Sequence, residues 1–138
     1  MARKCPFCGQ GVLERKVIEE TYTYKGRSLV IEQPGEFCGH CEEGVLGKED
    51  MAATRKALHD FRASVDGLLV SEEVRRIRKK LKLNQKAAAE MFGGGPNAFS
   101  KYERGEVMQS KALDRLLRLL DRHPGMLGEI KAGSGAAA

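Results

Sequence analysis

Asn84-Gln85-Lys86-Ala87-Ala88-Ala89-Glu90-Met91-Phe92-Gly93-Gly94-Gly95-Pro96-Asn97-Ala98-Phe99-Ser100-Lys101-Tyr102-Glu103-Arg104-Gly105 reads as a helix, a glycine turn and a second helix. Asn84 is a helix cap, and the helix after it should bury Ala87, Ala88, Met91 and Phe92. Three glycines permit a sharp turn through positive φ, and Pro96 suits the first turn of a helix, where its missing N–H is not needed. Phe99 and Tyr102 should face inward, onto Met91 and Leu116. Asn97, Ala98, Ser100, Lys101 and Arg104 are then left on the outer face. That face is short, polar and cationic, which suits a helix entering the DNA major groove.

The N-terminal end of such a helix meets base edges. Asn97 and Lys101 are therefore the best base readers, since Asn pairs bidentately with adenine and Lys reaches guanine O6 and N7. Gln85, opening the preceding helix, is placed for a phosphate or an adjoining base. A plainer reading has Asn97 capping its helix and Lys101 as a solvated charge. Charge distribution favours the first reading. Residues 69–138 hold 14 Lys and Arg against 8 Asp and Glu, a net of +6, whereas residues 1–68 hold 10 against 11. A basic half implies a polyanion partner. The run Arg75-Arg76-Ile77-Arg78-Lys79-Lys80 is weaker support, because such runs usually form a solvated face.

Around this motif the second half reads as five short helices. One starts at Ser71 with Val74, Ile77 and Leu81 inward; another starts at Ser110 and carries Leu113, Leu116, Leu117 and Leu120. Pro124 opens the last, with Met126, Leu127 and Ile130. One helix-turn-helix covers only a half-site, so a homodimer is expected. Leu119, off the leucine stripe, would join Met126, Leu127 and Ile130 in the dimer contact, unless these residues finish the monomer core.

The first half carries Cys5-Pro6-Phe7-Cys8 and Cys38-Gly39-His40-Cys41, separated by the 29 residues from Gly9 to Phe37. Between them, Val17–Tyr24 and Ser28–Ile31 are rich in strand formers, with a tight turn at Tyr24-Lys25-Gly26-Arg27 and another at Pro34-Gly35. A ribbon folding back brings two Cys-x-x-Cys turns together as a tetrahedral S₄ site, favouring one structural zinc over iron. Four cysteines closing the coordination sphere leave no catalytic water. A domain of about 65 residues rarely gains more than 3–5 kcal/mol from its core, while structural zinc contributes about 10–16 kcal/mol. His40 is expected to solvate rather than ligate.

A helix follows over Lys48–Val65, with Met51, Leu58, Phe61 and Val65 on one face, His59 at the surface and Asp66-Gly67 at its end. The expected organisation is two small domains. Residues 1–66 form an α+β zinc-ribbon-like β-hairpin domain with one helix, residues 67–131 an all-α helix-turn-helix domain, and residues 132–138 a tail outside the fold. No stretch is apolar enough for a membrane span or a signal region, so a cytoplasmic protein with reduced thiols is expected. His40, His59 and His123 lie in unrelated contexts and suggest no nucleophile–base pair, so no enzyme activity is expected. A thioredoxin-like thiol protein needs a βαβ context that the pattern lacks.

Taken in order, these motifs resemble the MqsA-type antitoxins of bacterial toxin–antitoxin operons. Cys5-Pro6-x-Cys8, Tyr24-x-Gly26-Arg27 and Cys38-x-x-Cys41-Glu42-Glu43 carry the likeness in the first half. Phe92-Gly93-Gly94-Gly95-x-Asn97-Ala98-Phe99-Ser100 and Tyr102-Glu103-x-Gly105 carry it in the second. The resemblance implies zinc held by Cys5, Cys8, Cys38 and Cys41, and capture of an MqsR-like ribonuclease toxin by that domain. It also implies a dimeric XRE/Cro-like domain that represses its own operon at palindromic double-stranded promoter DNA, with Asn97 and Lys101 at base-reading positions. Family members often carry arginine where this chain has Lys101, and the two are not interchangeable at a bidentate contact. A zinc-ribbon transcriptional regulator of the XRE class without a toxin partner is the alternative.

Overall fold

Side chains that alternate build the first part of the chain, and side chains spaced by helical turns build the rest. The computed structural model describes residues 3–135. The strands are β1 (Arg3–Lys4), β2 (Val12–Tyr24), β3 (Arg27–Cys38) and β4 (Gly44–Val45), paired antiparallel in the order β1-β2-β3-β4. Then come α1 (Lys48–Val65), α2 (Ser71–Lys80), α3 (Gln85–Phe92), α4 (Ala98–Arg104) and α5 (Lys111–Arg122), a 3₁₀ turn (Pro124–Met126) and α6 (Leu127–Gly135). Among the described residues no helix is long and apolar enough to cross a membrane. Of the expected tail, α6 takes in the part up to Gly135, and residues 136–138 lie outside the described residues.

The hairpin turns where expected, with Lys25 and Gly26 at φ 49° and 80°, the left-handed pair that a two-residue hairpin loop needs. Its strands are longer than their β-branched cores suggest. The expected turn at Pro34-Gly35 is absent, because these residues lie inside β3, opposite Val17 and Lys16. Proline is tolerated there because β4 reaches only Glu36 and Phe37, leaving Pro34 on a stretch of strand edge where no donor is required. The buried end of the ribbon holds Leu13, Gln33, Phe37 and Cys38.

Helix α1 spans the expected residues but does not bury the expected face. Met51 is 52% exposed, and the buried positions are Asp50, Thr54, His59 and Ala63. Gln33 explains the first two, donating to Asp50 O at 3.0 Å and accepting from the Thr54 hydroxyl at 3.1 Å. Arg15 forms a bidentate pair with the Asp50 carboxylate, one arm at 3.1 Å. Together with the Gly47 N–H, Arg15 holds that carboxyl below its usual range.

The chain divides into two compact units within α1, after Leu58 and before His59. The last turns of α1 are bonded into the helical unit. Asp60 accepts the Ser71 N–H at 2.8 Å and its hydroxyl at 2.9 Å, so Asp60 caps α2 from a distance. Ser71 is therefore the first helical residue rather than the expected cap, which is Val70. His59, expected at the surface, is 3% exposed with Nε2 3.2 Å from Val107 O.

The helical unit closes over Val74, Ile77, Leu81, Leu83, Ala88, Ala89, Phe99, Tyr102, Leu117, Leu120 and Leu127. Asn84 and Ser110 cap α3 and α5 as expected, accepting from Ala87 N at 2.7 Å and Leu113 N at 3.1 Å. Ala89 is buried on α3, whereas Ala87, Met91 and Phe92 only border the core. Asp114 lies fully buried beneath the α1–α2 connection, accepting from Leu69 N at 2.6 Å, Gln109 Nε2 at 3.0 Å and Arg118 Nε at 2.9 Å.

Candidate metal centre and nucleic-acid interface

Each Cys-x-x-Cys pair sits in the same backbone turn. Cys5 N donates to Gly11 O and Gly9 N to Cys5 O, both at 2.9 Å; Cys38 N donates to Glu43 O at 2.9 Å and Glu42 N to Cys38 O at 3.1 Å. The residue after each pair, Gly9 or Glu42, takes positive φ. Backbone N–H groups point at sulfur from Phe7 to Cys5 and from Gly11 to Cys8, each at 3.4 Å, and from His40 to Cys38 at 3.3 Å. Such dipoles favour thiolates. The N–H groups of Gly11 and Gln10 draw the Cys8 thiol down to about 6. Cys41 also receives a backbone N–H, from Glu43, but burial and the neighbouring sulfurs push it up to about 12. A metal-free cluster therefore keeps a proton that a divalent cation displaces.

All four sulfurs lie within 4.8 Å of one another. Cys5 Sγ is 3.6 Å from Cys41 Sγ, and Cys8 Sγ is 3.7 Å from Cys38 Sγ. Zinc–sulfur bonds of about 2.3 Å at tetrahedral angles set the sulfurs roughly 3.8 Å apart, so the donor set fits one zinc ion. Those separations far exceed a disulfide of about 2.05 Å, and all four thiols are free. His40 is exposed and outside the cluster. Gly11 is where the two turns meet; a Cβ there would stand 2.3 Å from Cys38 Sγ and 2.8 Å from His40 Cβ.

In the helical unit Gly93, Gly94 and Gly95 all take positive φ, at 87°, 95° and 92°. This turn swings α4 so that Phe99 and Tyr102 enter the core, their rings 5.3 Å apart edge to face. Asn97, Lys101 and Arg104 are exposed and Ser100 is half-buried. Asn97 occupies the cap position but its side chain makes no capping hydrogen bond, so its amide points to no local task. Arg104 is outward and paired with Glu106 at 2.7 Å. Ala98, expected on the outer face, is 6% exposed, because the tight glycine turn brings it beneath Gly94.

Gln85, expected to reach a phosphate or base, is half-buried and donates to Glu103 Oε1 at 3.3 Å. Glu103 is itself gripped by Arg78, whose Nε and Nη2 donate at 2.8 and 2.9 Å, while Nη1 donates to Leu83 O at 2.8 Å. Arg78 thus leaves the solvated cationic run, whereas Arg76 and Lys80 stay exposed in it and pair with Asp121 at the surface, at 2.9 and 3.0 Å. The sequence did hold a signal for Arg78, which follows Val74 by four residues and precedes Leu81 by three, on the inner stripe. Of the expected dimer residues, Leu119 and Met126 are 45% and 42% exposed, whereas Leu127 is buried and Ile130 borders the core.

The family model described as the antitoxin component of the bacterial toxin–antitoxin system, MqsA, matches residues 3–131. The chain belongs to the MqsA antitoxin family. Antitoxin MqsA of Escherichia coli (strain K12) is 44% identical over 130 residues, covering 93% of this chain and 99% of that one. Among solved structures, the N-terminal domain of the E. coli protein MqsA is 38% identical, covering 47% of this chain and 98% of that chain, with a TM-score of 0.44. As a member of the MqsA family the chain is an antitoxin of a toxin–antitoxin system, with a four-cysteine cluster suited to zinc.

Proposed function

We propose that this antitoxin binds a ribonuclease toxin through its zinc unit and represses its own operon through the helix-turn-helix. Cys5, Cys8, Cys38 and Cys41 hold the zinc, which shapes the strand unit without taking part in any reaction. Asn97 and Lys101 read bases, Ser100 and Arg104 support them from the same helix, and two copies of the helical unit read the halves of a palindrome. The protein acts by binding rather than by catalysis, in the cytoplasm, where its thiols stay reduced. One observation carries this reading. Burial of Ala98, Phe99, Tyr102 and Glu103 turns α4 so that Asn97 and Lys101 stand together on its exposed side.

Two measurements on the full-length chain test it. Titration against duplex DNA from its upstream promoter should give saturable, salt-sensitive binding well above that to scrambled duplex. Purification from the native operon, with mass analysis of whatever co-purifies, should yield a small basic ribonuclease in stoichiometric amount. Equal affinity for promoter and scrambled duplex would remove the repressor role, and a zinc-loaded chain that emerges alone would remove the toxin role.

A further inference from the structure

The β2–β3 ribbon is larger than the structure that supports it. β1 pairs only with Val12 and Leu13, and β4 only with Glu36 and Phe37. Beyond that base, β2 and β3 continue as a two-stranded ribbon from the Val17–Pro34 pair to the Tyr24–Arg27 pair. Both of its outer edges lack a strand neighbour among the described residues. A lone two-stranded ribbon is marginal in water, and open edges are a liability that proteins manage or use.

Directly opposed residues share a face, and the two faces differ. On one, Ile18, Tyr22, Leu29 and Ile31 are half-buried, and Gln33 is bonded to α1. The other carries, in register, Val17 opposite Pro34, Glu19 opposite Glu32, and Thr21 opposite Val30. Val17 and Val30 are 59% and 60% exposed, and both glutamates are exposed. Like charges directly opposite across two strands destabilise a sheet. The arginines at the base are committed elsewhere, Arg3 to Glu36 at 3.1 Å and Arg15 to Asp50. Among the described residues no cation is recorded against Glu19 or Glu32. The free protein thus keeps a repulsive pair between two uncovered valines, on a ribbon whose edges are open.

We propose that this face of the ribbon, centred on Glu19 and Glu32 and flanked by Val17 and Val30, docks a cationic protein surface with an apolar centre. That occupant is the toxin of the proposed function, so the inference rests on that reading and adds where the toxin sits. A basic partner neutralises the opposed glutamates, covers both valines and removes the ribbon from water. An anionic nucleic acid is repelled by the same pair. Charge at this point also steers encounter, so the association rate falls with added salt.

The test uses the zinc-loaded full-length chain and the toxin that co-purifies with it. Glu19→Gln/Glu32→Gln removes the repulsion, so the free variant should melt no lower than the parent, retain one zinc and bind promoter DNA unchanged. Its toxin affinity should nevertheless fall at least tenfold, with a shallower salt dependence of the association rate. Val17→Ser/Val30→Ser should weaken binding by a similar factor with the salt dependence intact. Unchanged toxin affinity in both variants overturns the docking surface while leaving the antitoxin reading in place. A parent chain that captures no toxin overturns that reading instead. Loss of self-association in the variants, with toxin binding retained, would assign the face to a second copy of this chain and likewise overturn the proposal.

Discussion

Gly11 shows how much one hydrogen atom decides in this protein. The two cysteine turns approach so closely that any Cβ at Gly11 would overlap Cys38 Sγ. Gly11→Ala is expected to lower zinc affinity at least tenfold, read by competition with a chromophoric chelator, and to lower the melting point of the strand unit. In the helical unit, Asn97→Ala should cost about 1–3 kcal/mol of promoter affinity and relax sequence preference, because its amide is exposed and takes no part in capping. Equal discrimination by the variant would show that Asn97 reads no base. Asp114 supplies the clearest pH dependence. Burial alone would raise its carboxyl, but the N–H of Leu69, the Arg118 guanidinium and the Gln109 amide outweigh burial and hold it below the ordinary range. Its folded value lies below its unfolded value of about 3.9, so its contribution is complete above about pH 4 and is lost as pH falls through the lowered value. Urea midpoints of the helical unit should therefore drop below pH 4, and the drop should be smaller in Asp114→Asn.

At the scale of elements, the recognition helix is held by a buried ion pair as well as by aromatic packing. Arg78 on α2 clamps Glu103 on α4, and Gln85 on α3 adds a third contact, so one carboxylate ties three helices together. Arg78→Ala strands Glu103 in the core and should destabilise the unit by about 3–5 kcal/mol. Arg78→Met/Glu103→Leu should recover most of that stability, as read by urea unfolding. If promoter affinity stays low in the double variant while stability returns, the pair orients α4 for DNA; full recovery of both would leave it a purely structural contact. Most helices were legible from their caps and apolar spacing, at Asn84, Ser110 and Pro124. The buried face of α1 was not. It is lined by Asp50, Thr54 and His59, whose partners Gln33 and Val107 are remote in sequence. Polar side chains at helical spacing read as solvent-facing unless their partners are known.

For the whole molecule, the two units draw stability from different sources. The helical unit closes over a continuous apolar core, while the cluster of Cys5, Leu13 and Cys38 in the strand unit is small. Zinc removal by a strong chelator under reducing conditions should unfold the strand unit and leave the helical unit folded. Amide spectra should lose dispersion for residues before Leu58 and keep it beyond His59; unchanged dispersion throughout would show the metal to be dispensable. Local patterns were enough to announce two units, a four-sulfur site, the hairpin turn and the outward placing of Asn97 and Lys101. Each depends on residues near one another in the chain, or on a spacing that allows few geometries. Folding alone settled that the last turns of α1 bond to Ser71 and Val107, that Ala98 is buried and that Arg78 serves Glu103 rather than solvent. It also set Glu19 opposite Glu32 beside two bare valines. These facts turn on strand register and on partners many residues away, where burial and hydrogen bonding are decided by three-dimensional proximity and leave no periodic trace.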